Sequence, residues 1–113
     1  MKTELGANEQ ITKDGRANAQ RGLEAVGGHL YLTDHRLIFE SHAFNIQRGT
    51  IILDLADIVA VEPSWARLLG FIPLVPNSIK VVLRSGRDYR FVVSDKSQWI
   101  ADISAALEKK PGG

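Results

Sequence analysis

The chain contains no cysteine among its 113 residues, so no disulfide can staple it and no thiolate can hold a metal. That fits a reducing compartment, and the cytoplasm is the expected location. An excess of charge is missing too. Fourteen Lys and Arg against thirteen Asp and Glu leave a formal net charge of +1, too little for general attraction to nucleic acid, so any anion site must be local. Aromatic residues make up only 7%, and they are not interleaved with basic residues as a nucleic-acid-tracking surface requires. Nucleic acid is therefore not an expected partner. Long apolar runs are absent: Leu68 to Val75 is the most apolar stretch, and Gly70 and Pro73 break it far short of the ~20 residues a membrane-crossing helix needs. Met1-Lys2-Thr3-Glu4-Leu5-Gly6 has no apolar segment behind its lysine, which argues against a signal peptide. A soluble protein is expected.

A hydrophobic content of 44% is enough for one domain spanning 1–113, with an ordered core over about 9–109 and flexible ends at 1–8 and 110–113. The most informative segment is Gly27 to His42. A two-residue loop at Asp34-His35 places Leu32 opposite Leu37, Leu30 opposite Phe39 and His29 opposite Glu40, so the apolar side chains share one face of a β-hairpin. Before it, Asp14-Gly15 reads as a turn, Arg16 to Ala25 as a strand and Gly27-Gly28 as a break. Ala43 to Gly49 is a polar loop. Thr50 to Leu55 alternates, with Ile51, Leu53 and Leu55 inward, and Ile58 to Val61 is the next apolar run, ended by Pro63. In a second hairpin Ile79, Val81 and Leu83 and then Tyr89, Phe91 and Val93 point inward. Both sets are odd-numbered, so parity demands the three-residue loop Arg84-Ser85-Gly86, with Val81 opposite Tyr89 and Gly86 in the left-handed position.

The last element changes period. Trp99, Ile100, Ile103, Ala106 and Leu107 form one stripe of an amphipathic helix over roughly Ser94 to Lys109. Ser94 or Asp95 is placed to cap it, Asp95 with Gln98 resembles a capping box, and Lys109-Lys110 complement its C-terminal dipole. The expected class is mainly β: a bent antiparallel barrel or sandwich of about seven strands, closed at one end by the helix with Trp99 as its plug.

The run Arg21-Gly22-Leu23-Glu24-Ala25-Val26-Gly27-Gly28-His29-Leu30-Tyr31-Leu32-Thr33-Asp34-His35-Arg36-Leu37-Ile38-Phe39 resembles the signature of bacterial GRAM domains. Asn45-Ile46-Gln47, Leu55-Ala56-Asp57-Ile58, Pro76-Asn77-Ser78-Ile79-Lys80-Val81 and Tyr89-Arg90-Phe91-Val92-Val93 are similar to later blocks of that family. The resemblance covers nearly everything after Gln10. It implies a pleckstrin-homology-like fold of seven strands and a C-terminal helix. It carries function less far: some eukaryotic members are associated with phosphoinositides or with protein partners inside larger chains. In one place this chain departs from the family: Trp65 to Pro76 is longer and more apolar than the corresponding loop.

That loop is the strongest functional hint. Trp65, Leu68, Leu69, Phe71, Ile72 and Leu74 are too apolar for disorder and, if exposed, form a partner or membrane surface, with Arg67 available to a carboxylate or a lipid phosphate. The alternative is that they fold over the sheet and enlarge a small core. A second hint is charge. Lys80 opposite Arg90 sets two cations face to face, and Arg84 and Arg87 complete a basic cluster able to hold an anion, although long cationic side chains also splay into water. Lys13, Arg16 and Arg21 are a weaker basic set without a phosphate-cradling loop.

His29, Glu40 and His42 on one outward face suggest a zinc grouping, but a surface His–Glu pair is the ordinary reading, and neither metal nor cofactor is expected. Ser41 and Ser94 have neither a strained elbow nor a base, and Asp54 and Asp57 read as backbone caps, so no catalytic residue and no enzyme activity is expected. Two readings remain. One is contact with a protein, or self-association, through Trp65 to Pro76; the other is peripheral attachment to an anionic membrane through Lys80, Arg84, Arg87 and Arg90 aided by the same loop.

Overall fold

A computed structural model describes residues 1–21, 24–42, 49–64 and 78–109, with only the backbone described for Arg21 and Glu24. Seven antiparallel strands follow one another: β1 (Ile11–Arg21), β2 (Glu24–Thr33), β3 (Arg36–Ser41), β4 (Thr50–Asp54), β5 (Ile58–Ser64), β6 (Ser78–Leu83) and β7 (Asp88–Val93). A short 3-10 turn, Leu55–Asp57, joins β4 to β5, and helix α1 (Lys96–Glu108) ends the fold.

Both hairpin registers follow the parity of their apolar residues. Leu30 faces Phe39, Leu32 faces Leu37 and His29 faces Glu40 across β2 and β3. Val81 faces Tyr89 and Lys80 faces Arg90 across β6 and β7, and Gly86 has a φ of 95°. The first turn is held by a side chain. The Thr33 hydroxyl accepts the N–H groups of His35 (3.0 Å) and Arg36 (2.8 Å), a side-chain substitute for a backbone turn bond.

The strand order is β4-β3-β2-β1-β7-β6-β5. β1 is the shared strand: it pairs with β2 over its whole length and with β7 from Ala17 to Gln20. The two halves of the sheet fold over one another, and Phe39 meets Phe91 with ring centroids 5.7 Å apart. Leu30, Ile79, Val81 and Phe91, all 0% exposed, fill the space between.

A closed barrel, one of the expected forms, is not what forms: β4 and β5 are the two ends of the sheet order and do not pair with each other. The register of β5 slips between Ile58 and Ala60, and Pro63, which lies inside β5 rather than ending it, has no N–H to give a further strand. The 3-10 turn carries the chain from one edge to the other instead of a ladder.

Two sequence signals mean something other than a turn. Asp14-Gly15 lies within β1 and Gly27-Gly28 within β2. A Cβ on Gly28 would stand 2.3 Å from the Glu40 carbonyl oxygen and 2.6 Å from the Phe39 ring, and one on Gly15 would touch Trp99 at 3.6 Å. These glycines let other groups approach the backbone. Gly28→Ala is therefore expected to lower stability by about 1–3 kcal/mol, as overpacked sites do, measurable by urea denaturation.

The helix packs against β5, β6, β7 and the 3-10 turn. Trp99 (3% exposed) and Ile103 (0%) are buried, with Ile100, Ala106 and Leu107 packed beside them. Its start differs from expectation: α1 begins at Lys96, Asp95 makes no side-chain cap, and the Gln98 amide donates to Asp102 (3.0 Å) instead.

Candidate functional site

Of the residues singled out by sequence, Trp65, Arg67, Leu68, Leu69, Phe71, Ile72 and Leu74 lie outside the described residues, as do 22–23, 43–48 and 110–113. The four candidate anion ligands are described, and they do not converge on one point. Lys80 and Arg90 are directly opposed, but each has an acidic neighbour: Glu62 faces Lys80 from β5, and the Asp88 carboxylate lies 3.7 Å from the Arg90 guanidinium. The like-charge pair thus has a carboxylate-bearing residue next to each of its members in the sheet. Arg87 lies over the ring of Tyr89, 5.9 Å from its centroid, an exposed cation–π contact. Arg84 donates from Nη2 to the carbonyl of Ala56 (3.1 Å) and its backbone N–H to Asp57 (2.7 Å), which ties it to the 3-10 turn.

Two clefts take three of these cations, and Lys80 lines neither. A smaller one, about 470 Å³, lies where the start of β4, from Thr50 to Ile52, faces the start of β7; Arg87, Tyr89 and Arg90 line it. A larger one, about 1000 Å³, lies between the last turns of α1, the β2–β3 turn and the 3-10 turn, and Arg84 lines that one. Parity assigns these residues to faces but not to clefts. Ile52 (47% exposed) and Val59 (51%) are exposed aliphatic residues on the two edge strands.

The most organised polar cluster was missed by sequence reasoning. Lys2, Thr3, Glu4, Gly6 and Glu9 form a strap tied across β2 and β3. The Glu40 carboxylate, on a residue only 6% exposed, accepts the backbone N–H of Lys2 (3.0 Å) and of Thr3 (2.6 Å). Glu9 accepts from Arg36 Nε (2.9 Å) and Nη2 (2.7 Å), from Thr33 Oγ1 (2.6 Å) and from the N–H of Gly6 (2.9 Å). Its side chain is 4% exposed and that of Arg36 19%. The Arg36 hydrogen bonds, opposed by burial and aided by Gly6 and Thr33, lower the Glu9 pKa from 4.5 to about 2. Burial pushes the Glu40 carboxyl up, but its bonds to Thr3 and Lys2 outweigh that and leave it below its ordinary value. Nothing in the spacing of Lys2, Thr3, Glu9 and Arg36 announces this strap, since no periodicity connects them.

The strap also decides the histidines. With Glu40 engaged, the expected His29–Glu40 pair does not form; His29 Nε2 meets Asp14 Oδ1 at 2.9 Å, and its ring lies 4.7 Å from that of Tyr31. Among the described residues no three His, Cys, Asp or Glu side chains stand together to hold a metal. Asp54 precedes the 3-10 turn without capping it, contrary to the expected role.

This open seven-stranded sheet with its C-terminal helix is a pleckstrin-homology-like fold. The family model of the GRAM domain matches residues 1–97, and the chain belongs to that family. GRAM and pleckstrin-homology-like domains are generally non-catalytic modules that bind protein or lipid. The fold is similar to the C-terminal domain of an unknown protein from Leishmania infantum (TM-score 0.75, 16% identity, 91% of this chain and 88% of that one). It is also similar to the Vps36 N-terminal PH domain (TM-score 0.72, 21% identity, 93% and 83%). A third similar structure is the Slm1-PH domain in complex with phosphoserine (TM-score 0.65, 13% identity, 88% and 97%). No curated protein matches the sequence. No helix among the described residues is long and apolar enough to cross a membrane.

Proposed function

We propose that this GRAM domain is a non-enzymatic interaction module that meets another protein surface, most simply a second copy of itself, through the loop Trp65 to Pro76. The observation that carries the reading is the compensation of the outer basic row. With Glu62 facing Lys80 and Asp88 beside Arg90, that face offers an anionic membrane little to hold. The loop supplies what protein contacts use: six large apolar residues with Arg67 in one connection between β5 and β6, of the types enriched at interface centres. Pro73 and Pro76 restrict it and reduce the entropy lost on docking.

Light scattering after size exclusion tests this. The wild-type chain is expected to run as an oligomer, and Leu69→Ser with Phe71→Ser to run as a folded monomer with an unchanged melting midpoint. A wild-type monomer at high micromolar concentration removes self-association, and an unfolded variant assigns the loop to the core.

A second reading is favoured by the smaller cleft, where Arg87 and Arg90 stand beside Tyr89. A phosphate-bearing headgroup suits two guanidinium groups at the edge of a cleft, and Arg84 and Lys80 would add long-range attraction. The phosphoserine complex of the Slm1-PH domain is a precedent for that chemistry on the fold. In this reading the domain works in the cytoplasm, peripheral to a membrane.

A further inference from the structure

We propose that the larger cleft is a peptide-binding site, taking an extended segment of a partner in which an aliphatic side chain stands next to a carboxylate. The proposal goes beyond the loop reading and does not rest on it. The floor of the cleft is apolar and firm: Leu32 (2% exposed) and Leu55 (3%) belong to the core, and opposite them α1 presents the small side chains of Ala105 and Ala106, with Asp102 at its edge. Two alanines on successive positions leave open the space that larger residues would fill. The volume of about 1000 Å³ is at the upper end for ligand clefts, room for several residues rather than for one ion.

The rim selects the occupant. Four of its charged groups are already used in pairs, Lys13 with Asp102 at 3.3 Å and His35 with Asp34 at 2.7 Å. Three are not. Among the described residues Asp54 caps nothing and makes no close ion pair, although Arg36, itself bound to Glu9, faces it across β3 and β4; Lys109 has no ion pair, and the Arg84 guanidinium spends one donor on the Ala56 carbonyl and keeps the others. The backbone of Arg84 is fixed by its own bond to Asp57 and by the tight turn that follows, so its fork is presented from a rigid base.

Two cations and one carboxylate around an apolar floor match a polypeptide. Its acidic side chain answers Arg84 and Lys109, its backbone N–H groups answer Asp54, and its aliphatic side chain covers Leu32 and Leu55. A hydrocarbon acid brings no donor for Asp54. A polyphosphate likewise brings no donor for Asp54, and it sets several negative charges against only two free cations.

The test is amide chemical-shift mapping of the full chain with an acetylated, amidated hexapeptide that carries one leucine beside one glutamate. The control is the same peptide with glutamine in place of glutamate. Shifts are expected at Leu32, Leu55, Arg84 and Ala106. Affinity should fall about tenfold or more with the control peptide and in Arg84→Gln, since the charge-assisted bond is lost in both. Ala105 is exposed, so Ala105→Trp should fill the cleft and abolish the shifts while the melting midpoint holds. The proposal is overturned if millimolar peptide moves no cleft amide, if the glutamine peptide binds equally well, or if Arg84→Gln, folded by its spectrum, binds as the wild type does.

Discussion

Trp99→Ala is expected to fold poorly or not at all. The indole is 3% exposed, lies against Gly15 of β1, and carries the Lys13 amine over its ring at 5.0 Å. Truncating an aromatic residue in a core costs about 3–5 kcal/mol, against a total of about 5–15 kcal/mol for a natural domain. Each kcal/mol moves the melting midpoint of a domain of this size by about 4–8 °C, so a melt should fall by more than about 10 °C. A change of only a few degrees would remove the helix from the core. The expected loss is large because the helix is held mainly by this residue and Ile103, the two buried positions on its inner face.

The strap gives the second large effect, and it depends on pH. The folded pKa of Glu9 is depressed from 4.5 to about 2. Its contribution is therefore complete above the unfolded value and is lost as pH falls from about 4.5 toward 2. A shift of that size corresponds to roughly 3 kcal/mol at neutral pH. Glu9→Gln should lose about that much at pH 7, since it leaves the Arg36 guanidinium, 19% exposed, without its carboxylate. The gap should be nearly closed at pH 2 and gone below it, where the two proteins should unfold at the same urea concentration. A difference that stays constant from pH 7 to pH 2 would show that the ionised pair does not stabilise the fold.

Hairpin register was legible because it is a matter of parity. Leu30, Leu32, Leu37 and Phe39 can share a face in only one way around Asp34-His35, and Gly86 supplies the single positive φ that the three-residue loop of the other hairpin requires. The stripe of α1 was legible for the same reason, a period that survives in the fold.

Other features depend on contacts between segments distant in sequence. Gly28 looks like a break until Phe39 and the Glu40 carbonyl are seen against it. The sheet stays open because of how β4 and β5 end up placed, and the apolar pattern of each strand is the same in either case. The strap uses side-chain-to-backbone bonds from Glu40 to Lys2 and Thr3, which leave no pattern in residue types. For the candidate sites, sequence alone put Lys80, Arg84, Arg87 and Arg90 in one cluster. The fold gives Arg84 to one cleft and Arg87 and Arg90 to another, and it sets Glu62 beside Lys80.

The choice between a protein surface and an anionic membrane is tested most directly by co-sedimentation with vesicles of phosphatidylcholine and phosphatidylserine at low and at high salt. Electrostatic attachment weakens steeply as ionic strength rises, whereas an apolar contact between proteins does not. The chain is expected to stay in the supernatant at both salt concentrations, and Lys80→Glu with Arg90→Glu to behave as the wild type does. Pelleting at low salt that is lost at high salt, and lost in the double variant, would contradict it.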